Sequence, residues 1–349
     1  MFKRIFNDDV SVHSGIPKAY SHLKNKKFND WEIPPWEVFI DSNKLLGEGS
    51  WAKVYLAEWR QTTVVAKVLK NSFDIHAKEL IIKELQNMTK MHHPNIVQLF
   101  GYVEEPFVII MEYFKNGDLY ENLNKLKLSK KITIANDIIK GLIYIHERRP
   151  NSLIHRDIKP RNILLTNSYT AKIADFGLST FSIQNIIKIS SNNNLVLLEN
   201  QENTYTYTIN STSTTTTTTT TTTNSTDQHS NLENINLIEN INSCEYTNNV
   251  GTERYMAPEV ITTEYNNKVD IYSCGILLYE LFSGKIYFNS FNWKNNLKLP
   301  NKLKELILKM VNDDPNKRPS ANNTLYYFNQ IEYNRYNILD NFRSIIKNN

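Results

Sequence analysis

One polar stretch in the second half of the chain limits what can fold. From Phe181 to Asn249 there is no glycine or proline, and the residues are mainly Asn, Thr, Ser and Glu, with an unbroken threonine run from Thr214 to Thr223. One lysine and six acidic residues give this stretch a net charge of −5, so the remainder carries +9. Such a tract buries too little apolar surface to offset the entropy cost of ordering. We therefore expect two patterned segments separated by a low-complexity, mostly disordered insertion at 181–249, in which LVLL and NLENINLIENIN could form short pieces of secondary structure.

Composition excludes several classes of protein. Apolar residues make up 40% of the 349-residue chain, enough for a sizeable core. The overall charge of +4 is too small for a dedicated nucleic-acid binder. Two cysteines, Cys244 and Cys274, form neither a disulfide framework nor a C-x-x-C zinc motif. The opening MFKRIFNDDV lacks the apolar run of a signal peptide, and no window reaches the ~18–20 apolar residues of a membrane span. We expect a soluble, intracellular (cytoplasmic) protein.

Hydrophobic periodicity divides the flanking segments into a strand-rich and a helix-rich part. VYLAEW, TTVVAKVL and VIIMEY are typical of β-strands, and HAKELIIKELQNMTKM between them has helical spacing. From Asp118 onward LYENLNKL and ITIANDIIKGLIYIHE are helical in pattern, as are VDIYSCGILLYELF and LKELILKMV after the insertion. The first thirty or so residues are expected to be a mobile tail. The pattern predicts an α+β protein with a small strand-rich lobe followed by a larger, mainly helical lobe.

A glycine loop is the first candidate for phosphate binding. Gly47 and Gly49 lie in LGEGSWAKV, where the lack of a Cβ lets backbone amides approach an anion. The strand-like KVYLAEW follows directly, whereas a dinucleotide-binding fold requires a helix there. Taken alone, such a loop is more often a hairpin turn. Lys67 ends the apolar VVAK. Considered by itself, it would be interpreted as a surface lysine.

Two later motifs combine carboxylates, a lysine and an amide. In HRDIKPRN, Asp157 can accept a hydroxyl proton, Lys159 can neutralise the charge of a transferring phosphate, and Asn162 can hold a metal. Asp175 begins DFG after the alternating AKIA. Because Mg²⁺ binds one or two carboxylates together with phosphate oxygens, Asn162 and Asp175 are its predicted ligands.

In chain order, GEGSWAKV, VAK, HRDIKPRN, DFG, GTERYMAPE and DIYSCG resemble the signature set of a eukaryotic protein kinase, over roughly residues 40–333. Trp31 and Ile33, Trp59 and the HPNIVQLFG text at 93–101 are similar to the tyrosine-kinase-like group of serine/threonine kinases. The resemblance implies the bilobal protein-kinase fold, with a small antiparallel β lobe that carries one helix. It also implies these divisions: an N-terminal extension at 1–38, a kinase domain at 39–333 (small lobe 39–111, hinge 112–117, large lobe 118–333) and a C-terminal tail at 334–349.

The resemblance also implies a function: transfer of the γ-phosphate of ATP, with Mg²⁺, to serine or threonine hydroxyls of protein substrates. Lys67 would hold the α/β-phosphates and pair with a helix glutamate, either Glu79 or Glu84. Glu84 is preferred because it lies nine residues before His93. Asp157 would be the catalytic base. The implied nucleotide-binding positions are Leu46, Gly47, Glu48, Gly49, Ser50, Trp51, Ala52, Lys53, Val54, Ala66, Lys67, Met111, Glu112, Phe114 and Leu164.

Three supporting roles follow from the same resemblance. Glu259 would pair with Arg318, and Asp270 would brace the catalytic loop. Arg156 could bind a phosphate placed on the activation segment. Candidate phosphorylation sites near the ends of that segment are Ser179, Thr180 and Thr247. The competing interpretation of the threonine run is a tolerated repeat expansion without a regulatory role.

Two alternative functions remain open from the sequence. Lys159 and Thr252 favour serine/threonine over tyrosine acceptors, with dual specificity as the remaining possibility. A pseudokinase would bind nucleotide or partners without phosphotransfer, although it would be expected to lack the lysine or one of the two acids. A P-loop hydrolase is excluded because no G-x-x-x-x-G-K-[ST] motif is present.

Overall fold

The computed structural model describes residues 3–4, 23, 26–49, 51–70, 75–149, 152–182, 187–189, 194–199, 203–208, 253–261, 265–286 and 299–333. Ser50, Thr247, the threonine run and the predicted tail at 334–349 lie outside these ranges. None of the described helices is both long and apolar enough to cross a membrane.

The small lobe is one antiparallel sheet with a helix packed on its inner face. Its strands lie in the order β1-β2-β3-β4-β6-β5. Side chains alternate between two cores, as a period of two requires: Ile109 packs in the cluster that contains helix α1, whereas Val108 and Ile110 pack on the outer face. The elements are β1 (Lys3–Arg4), β2 (Val38–Glu48), β3 (Ala52–Trp59), β4 (Thr62–Leu69), α1 (Ile75–Thr89), β5 (Leu99–Val103) and β6 (Val108–Glu112).

A segment between β1 and β2 covers the outer face of the sheet. Ile33 is 4% exposed, and its backbone amide donates to the Tyr102 carbonyl of β5 at 2.7 Å. Tyr102 in turn donates to the Trp31 carbonyl at 2.8 Å. A Cβ at Gly101 would lie 2.4 Å from the Trp31 carbonyl oxygen, so only glycine permits this approach. The expectation of a mobile tail is wrong for Lys3–Arg4, which pair with β2 in the sheet, and for the part that begins at Lys26, which pairs with Glu32 at 2.5 Å.

The large lobe is built around α3 and the almost completely buried α4. Gly141 on α3 allows β9 to pack closely, because a Cβ there would lie 2.8 Å from Ile173. The helix predicted over 119–126 is shorter than expected, since α2 ends at Asn122. The elements are α2 (Leu119–Asn122), α3 (Leu128–His146), β7 (Ser152–Ile154), β8 (Ile163–Leu165), β9 (Ala171–Ile173), β10 (Thr180–Ser182), α4 (Lys268–Ser283), α5 (Asn301–Met310) and α6 (Ala321–Tyr333). The predicted α+β fold with a β-rich and a helical lobe is confirmed.

The described part of the insertion contains strands. β11 (Ile187–Ile189), β12 (Asn194–Glu199) and β13 (Asn203–Thr208) form an antiparallel three-stranded sheet. LVLL lies within β12, and the TYTYT repeat of β-branched and aromatic residues forms β13. Most of the insertion was expected to be disordered, and that expectation is wrong for these strands. NLENINLIENIN lies outside the described residues.

Candidate active site

A lysine from the sheet and a glutamate from α1 meet beside Asp175. Lys67 lies on β4, and its Nζ is 2.5 Å from Glu84 Oε2 and 3.6 Å from Asp175 Oδ1. Glu84 is 2% exposed, whereas Glu79 on the same helix is exposed. The structure thus pairs Lys67 with Glu84 of the two candidates. The cluster joins the small lobe to the strand end that carries Asp175.

Lys67 and Asp175 stabilise each other's charged forms. Burial alone would lower the pKa of Lys67, but Glu84 and Asp175 raise it to about 12. Burial alone would raise the pKa of Asp175, but Lys67, with smaller contributions from His155 and Lys159, holds it below its usual value. Lys67 and Asp175 are therefore both ionised at neutral pH.

We expect Glu84→Gln to lower kcat/KM for ATP about 10- to 100-fold. The substitution removes one charge of a buried, charge-assisted hydrogen bond, and such bonds contribute about 1.5–3 kcal/mol. Lys67 would lose the partner that orients it. Steady-state kinetics with ATP as the varied substrate measure the change. Glu79→Gln is the matched control on the same helix and should leave kcat/KM within about twofold. An equal loss in both variants would contradict the role of Glu84.

The catalytic-loop residues form a compact hydrogen-bonded group. Asp157 is 6% exposed, and its Oδ2 accepts hydrogen bonds from Lys159 Nζ at 2.6 Å and from Asn162 Nδ2 at 2.8 Å. Asn162 Nδ2 also donates to the Asp157 carbonyl at 2.8 Å. With its amide nitrogen committed in this way, Asn162 presents Oδ1 as the atom able to bind a metal.

A buried aspartate on α4 fixes the backbone of this loop. Asp270 is fully buried and accepts hydrogen bonds from the backbone amides of His155 and Arg156, each at 2.8 Å. His146 Nε2 lies 2.8 Å from the same carboxylate. Arg156 has a φ of 70°, an uncommon conformation that these bonds hold in place. The position of Asp157 therefore depends on Asp270.

We expect the Asp270 carboxylate to contribute to the pH dependence of the free energy of unfolding. Burial would raise the pKa of Asp270, but hydrogen bonds from His146 and the loop outweigh burial and lower it. Because the folded pKa lies below the unfolded value of about 3.8, Asp270 stabilises the fold above pH ~4, and this contribution is lost as the pH falls below that value. Urea unfolding between pH 5 and pH 3 measures the decline. Asp270→Asn should show a shallower decline, and parallel curves would contradict the prediction.

The Asp175-Phe176-Gly177 turn directs Asp175 towards Lys67. Phe176 is fully buried and packs against the His155 ring, with ring centroids 4.8 Å apart. Asn87 on α1 donates to the Phe176 carbonyl at 3.4 Å. Asp175 has a φ of 65°, and its side chain remains 48% exposed. The amide of Ala174, one residue earlier, donates to the Asn162 carbonyl at 2.8 Å. An accessible carboxylate beside a fixed lysine and close in the chain to this contact suits a divalent metal that also binds phosphate oxygens.

The glycine loop is a hairpin with open space above it. Gly47 pairs with Val54 across β2 and β3, and the Gly49 amide donates to the Ala52 carbonyl at 2.9 Å. A Cβ on Gly47 would have nothing within 4 Å, which leaves room for a phosphate group. The side chains of Leu46 and Trp51 are 46% and 43% exposed, Ala52 is buried, and Glu48 pairs with Lys70 at 2.5 Å.

The predicted adenine pocket lies between the strand that carries Lys67 and the hinge. Ala66 is fully buried, Val54 and Lys53 on β3 are half-buried, and Met111 faces Val65 across β4 and β6. Leu164, on β8 in the large lobe, is half-buried.

At the hinge the Glu112 amide donates to Gln98 at 3.0 Å and the Phe114 carbonyl accepts from Gly117 at 3.1 Å. The resemblance implies that adenine binds backbone groups of Glu112 and Phe114, and this remains a prediction.

Sequence reasoning missed an ion pair that ties the hinge to β9. Lys172 Nζ lies 2.7 Å from Glu112 Oε2, and the Lys172 ammonium also lies 6.0 Å from the Phe114 ring centroid. Lys172 is three residues before Asp175, so the pair links the hinge to the strand that carries the predicted metal ligand. The alternation of AKIA places Lys172 on the face opposite Ala171 and Ile173, which is the signal that could have drawn attention to it.

The surroundings of Arg156 bear on the predicted phosphorylation sites. Its Nε donates to the Leu178 carbonyl at 2.5 Å and its Nη1 to the Tyr265 hydroxyl at 2.9 Å. Ser179 is fully buried, with its hydroxyl 3.4 Å from the His155 carbonyl, so it is inaccessible to a kinase in this conformation. Thr180 is half-buried at the start of β10.

A buried arginine anchors the segment that follows the insertion. Arg318 forms a bidentate pair with Glu259, at 2.5 Å and 2.8 Å. It also donates to the Asn312 carbonyl at 2.7 Å and to the Lys268 carbonyl at 3.0 Å. This contact is the one that the motif resemblance implied for Glu259 and Arg318.

Two protein-family models match the chain on either side of the threonine run. One, described as "Protein tyrosine and serine/threonine kinase", matches residues 40–197, and the other, "Protein kinase domain", matches residues 234–327. The chain belongs to the protein kinase family. The resemblance to the tyrosine-kinase-like group of serine/threonine kinases is confirmed.

Curated relatives come from plants and from a social amoeba. The serine/threonine-protein kinase VIK of Arabidopsis thaliana is 30% identical over 318 residues, which cover 83% of this chain and 60% of the relative. The serine/threonine-protein kinase CTR1 of the same plant is 27% identical over 281 residues, 77% of this chain and 27% of CTR1. The dual specificity protein kinase pyk3 of Dictyostelium discoideum is 28% identical over 339 residues, 90% of this chain and 20% of pyk3. The chain thus spans 60% or less of the length of these relatives.

Proposed function

We propose that this chain is an ATP-dependent protein kinase that transfers the γ-phosphate of ATP to serine and threonine hydroxyls of protein substrates. The observation that carries the proposal is the convergence of Lys67, Glu84 and Asp175, next to a catalytic loop in which Asp157, Lys159 and Asn162 are hydrogen-bonded. No described residue of this group departs from what phosphoryl transfer requires. Nothing in the site favours the pseudokinase alternative.

The residues present fit Mg²⁺ and ATP. Asp175 offers an accessible ionised carboxylate and Asn162 an amide oxygen, the oxygen ligands that Mg²⁺ prefers when phosphates complete its shell. Mg²⁺ held by Asp175 and Asn162 would neutralise the negative charge that develops on the phosphates. Lys67, held by Glu84, would bind the α/β-phosphates, and the space over Gly47 admits them.

The chain's own residues would then carry out the proton transfer and the positioning. Asp157 accepts the proton of the serine or threonine hydroxyl. The hydroxyl oxygen bonds to the γ-phosphorus at the same time, and the bond between the γ-phosphorus and the β-phosphate oxygen breaks. Lys159 neutralises charge on the transferring phosphoryl group, and its contact with Asp157 keeps it at the reacting centre. Asp270 holds the loop in position and touches no reacting atom.

Radiolabel transfer from γ-labelled ATP to a generic protein tests the proposal. The wild-type chain with Mg²⁺ should label the substrate, phosphoamino-acid analysis should find phosphoserine or phosphothreonine, and Asp157→Asn should not incorporate label. Equal incorporation by both proteins would contradict the proposal. A rise in melting temperature with ATP and Mg²⁺ but without label transfer would instead identify a nucleotide-binding pseudokinase.

The proposal includes the domain division and the location. We place the extension at 1–38, the kinase domain at 39–333 and the tail at 334–349, with the lobes meeting at 112–117. We also propose a cytoplasmic location, because the proposed substrate is ATP.

A further inference from the structure

A side chain outside the kinase motifs lies beside the predicted adenine pocket. Lys172 on β9 stands directly opposite Leu164 on β8. Residues that face each other across an antiparallel pair place their side chains on the same face. The aliphatic stem of Lys172 therefore shares a face of the β8–β9 hairpin with Leu164, a predicted adenine-binding residue.

The ammonium group of the same side chain reaches the hinge. Lys172 Nζ lies 2.7 Å from Glu112 Oε2 and 6.0 Å from the centroid of the Phe114 ring. Glu112 and Phe114 are the two hinge residues whose backbone groups adenine is predicted to use. Lys172 thus links three of the predicted nucleotide-binding positions, two in the hinge and one in the large lobe.

The ion pair closes a ring of contacts around the start of the hinge. The Glu112 amide donates to the Gln98 carbonyl at 3.0 Å, and Glu112 Oε2 accepts from the Gln98 amide at 3.4 Å. The Val97 amide donates to the Ile173 carbonyl of β9 at 3.0 Å. Backbone bonds thus set the distance between residues 97–98 and β9, and the ion pair with Lys172 sets the orientation of Glu112 against β9.

Partial burial makes this pair stronger than an exposed one. The Lys172 and Glu112 side chains are 15% and 26% exposed, so solvent and salt screen their attraction less than that of a surface pair. Without the ammonium, the Glu112 carboxylate would be half-buried and would lack this partner, which costs more than the loss of an exposed contact. The carboxylate would then turn towards water and move the hinge backbone with it.

We infer that Lys172 is a positioning residue for adenine binding. Through Glu112 it holds the hinge at a fixed spacing from Leu164, and adenine binds between them. The inference rests on the proposed ATP-dependent function and adds a residue to it. Because the contacts of Lys172 are with the hinge, the residue acts on the affinity for the base and not on the phosphotransfer step.

Competition against a fluorescent ADP analogue tests the inference without phosphotransfer, with ATP and adenosine as the competitors. Lys172→Met should weaken the binding of both competitors about fivefold or more, because adenosine carries the base and lacks the phosphates. The KM for ATP should rise by the same factor, while kcat at saturating ATP stays within about twofold of wild type. Lys172→Arg keeps the charge and should bind both competitors within about threefold of wild type.

A second variant and a matched lysine make the result specific. Glu112→Gln should weaken adenosine binding as Lys172→Met does, and the double variant should lose no more than either single variant, because both remove the same pair. Lys130 is the matched control. Its Nζ donates to the Ser168 carbonyl at 3.0 Å and lies 5.7 Å from the Tyr169 ring centroid, in the turn that joins β8 to β9. Lys130→Met should bind adenosine as wild type does.

The outcomes separate this inference from the proposed function. Unchanged adenosine binding in Lys172→Met, additive losses in the double variant, or an equal loss in Lys130→Met would each overturn the inference alone. A wild-type protein that binds neither ATP nor adenosine would overturn the proposed function together with it. If Lys172→Met does not fold, the Glu112→Gln protein gives the deciding measurement of adenosine binding.

Discussion

Asp157→Asn is expected to slow phosphotransfer about 10³-fold while leaving the affinity for ATP within a few-fold of wild type. A positioned general base contributes roughly 10²- to 10⁴-fold, and asparagine cannot accept the hydroxyl proton. The substitution preserves the shape of the side chain, and Lys67 with Glu84, which do not contact Asp157 in the described ion pairs, should still hold the phosphates. Single-turnover rates give the chemical step, and displacement of a fluorescent nucleotide gives the affinity.

The control for this experiment is thermal stability, because Asp157 also accepts hydrogen bonds from Lys159 and Asn162. The variant should melt within a few degrees of wild type. A rate that remains within tenfold of wild type would contradict the role of Asp157 as the base. Loss of ATP affinity in parallel with the rate would show that the substitution disturbs the cleft as a whole.

Arg318→Met is expected to lower the free energy of unfolding by about 3–5 kcal/mol. Removing one partner of a buried ion pair leaves the other charge without compensation, at a cost of that order. The Arg318 side chain is fully buried and the Glu259 side chain is 13% exposed. The carbonyls of Asn312 and Lys268 would also lose their donor, whereas methionine retains much of the volume. Urea denaturation at pH 7 measures the difference.

Lys317→Met is the matched control, since it also replaces a cationic side chain with methionine, one residue earlier. The Lys317 side chain is 70% exposed and lies 3.8 Å from Asp314, and exposed pairs of this kind contribute little. Its effect should remain within about 0.5 kcal/mol. Similar losses in the two variants would mean that the Arg318 network does not stabilise the fold more than an exposed pair does.

Much of the fold was predictable because local patterns coincide with the tertiary structure. The alternation in TTVVAKVL matches β4, and the spacing of Ile134, Ile138, Leu142 and Ile145 matches the buried face of α3. The catalytic residues were predictable for a different reason. Phosphoryl transfer requires particular residue types at short spacings, as in HRDIKPRN, so these residues can be identified although they follow no periodic pattern.

Contacts between distant residues were not predictable. Lys172 and Glu112 are 60 positions apart, and nothing local in either strand indicates the other. The strand at 203–208 was missed because polar composition indicated disorder, whereas the β-propensity of threonine and tyrosine favours a sheet. The segment around Trp31 was missed because a short stretch bound by backbone contacts to β5 has no period of its own.

The covering of β5 by the segment around Ile33 has a practical consequence for recombinant fragments. β5 is an edge strand of the sheet, and its Tyr102 exchanges backbone hydrogen bonds with Trp31 and Ile33. A truncated clone starting at residue 39 would leave those groups unpaired and uncover the apolar surface around Val103, the kind of edge that recruits a second copy of itself. Expression boundaries should therefore be set upstream of Lys26, or purification will select for aggregates.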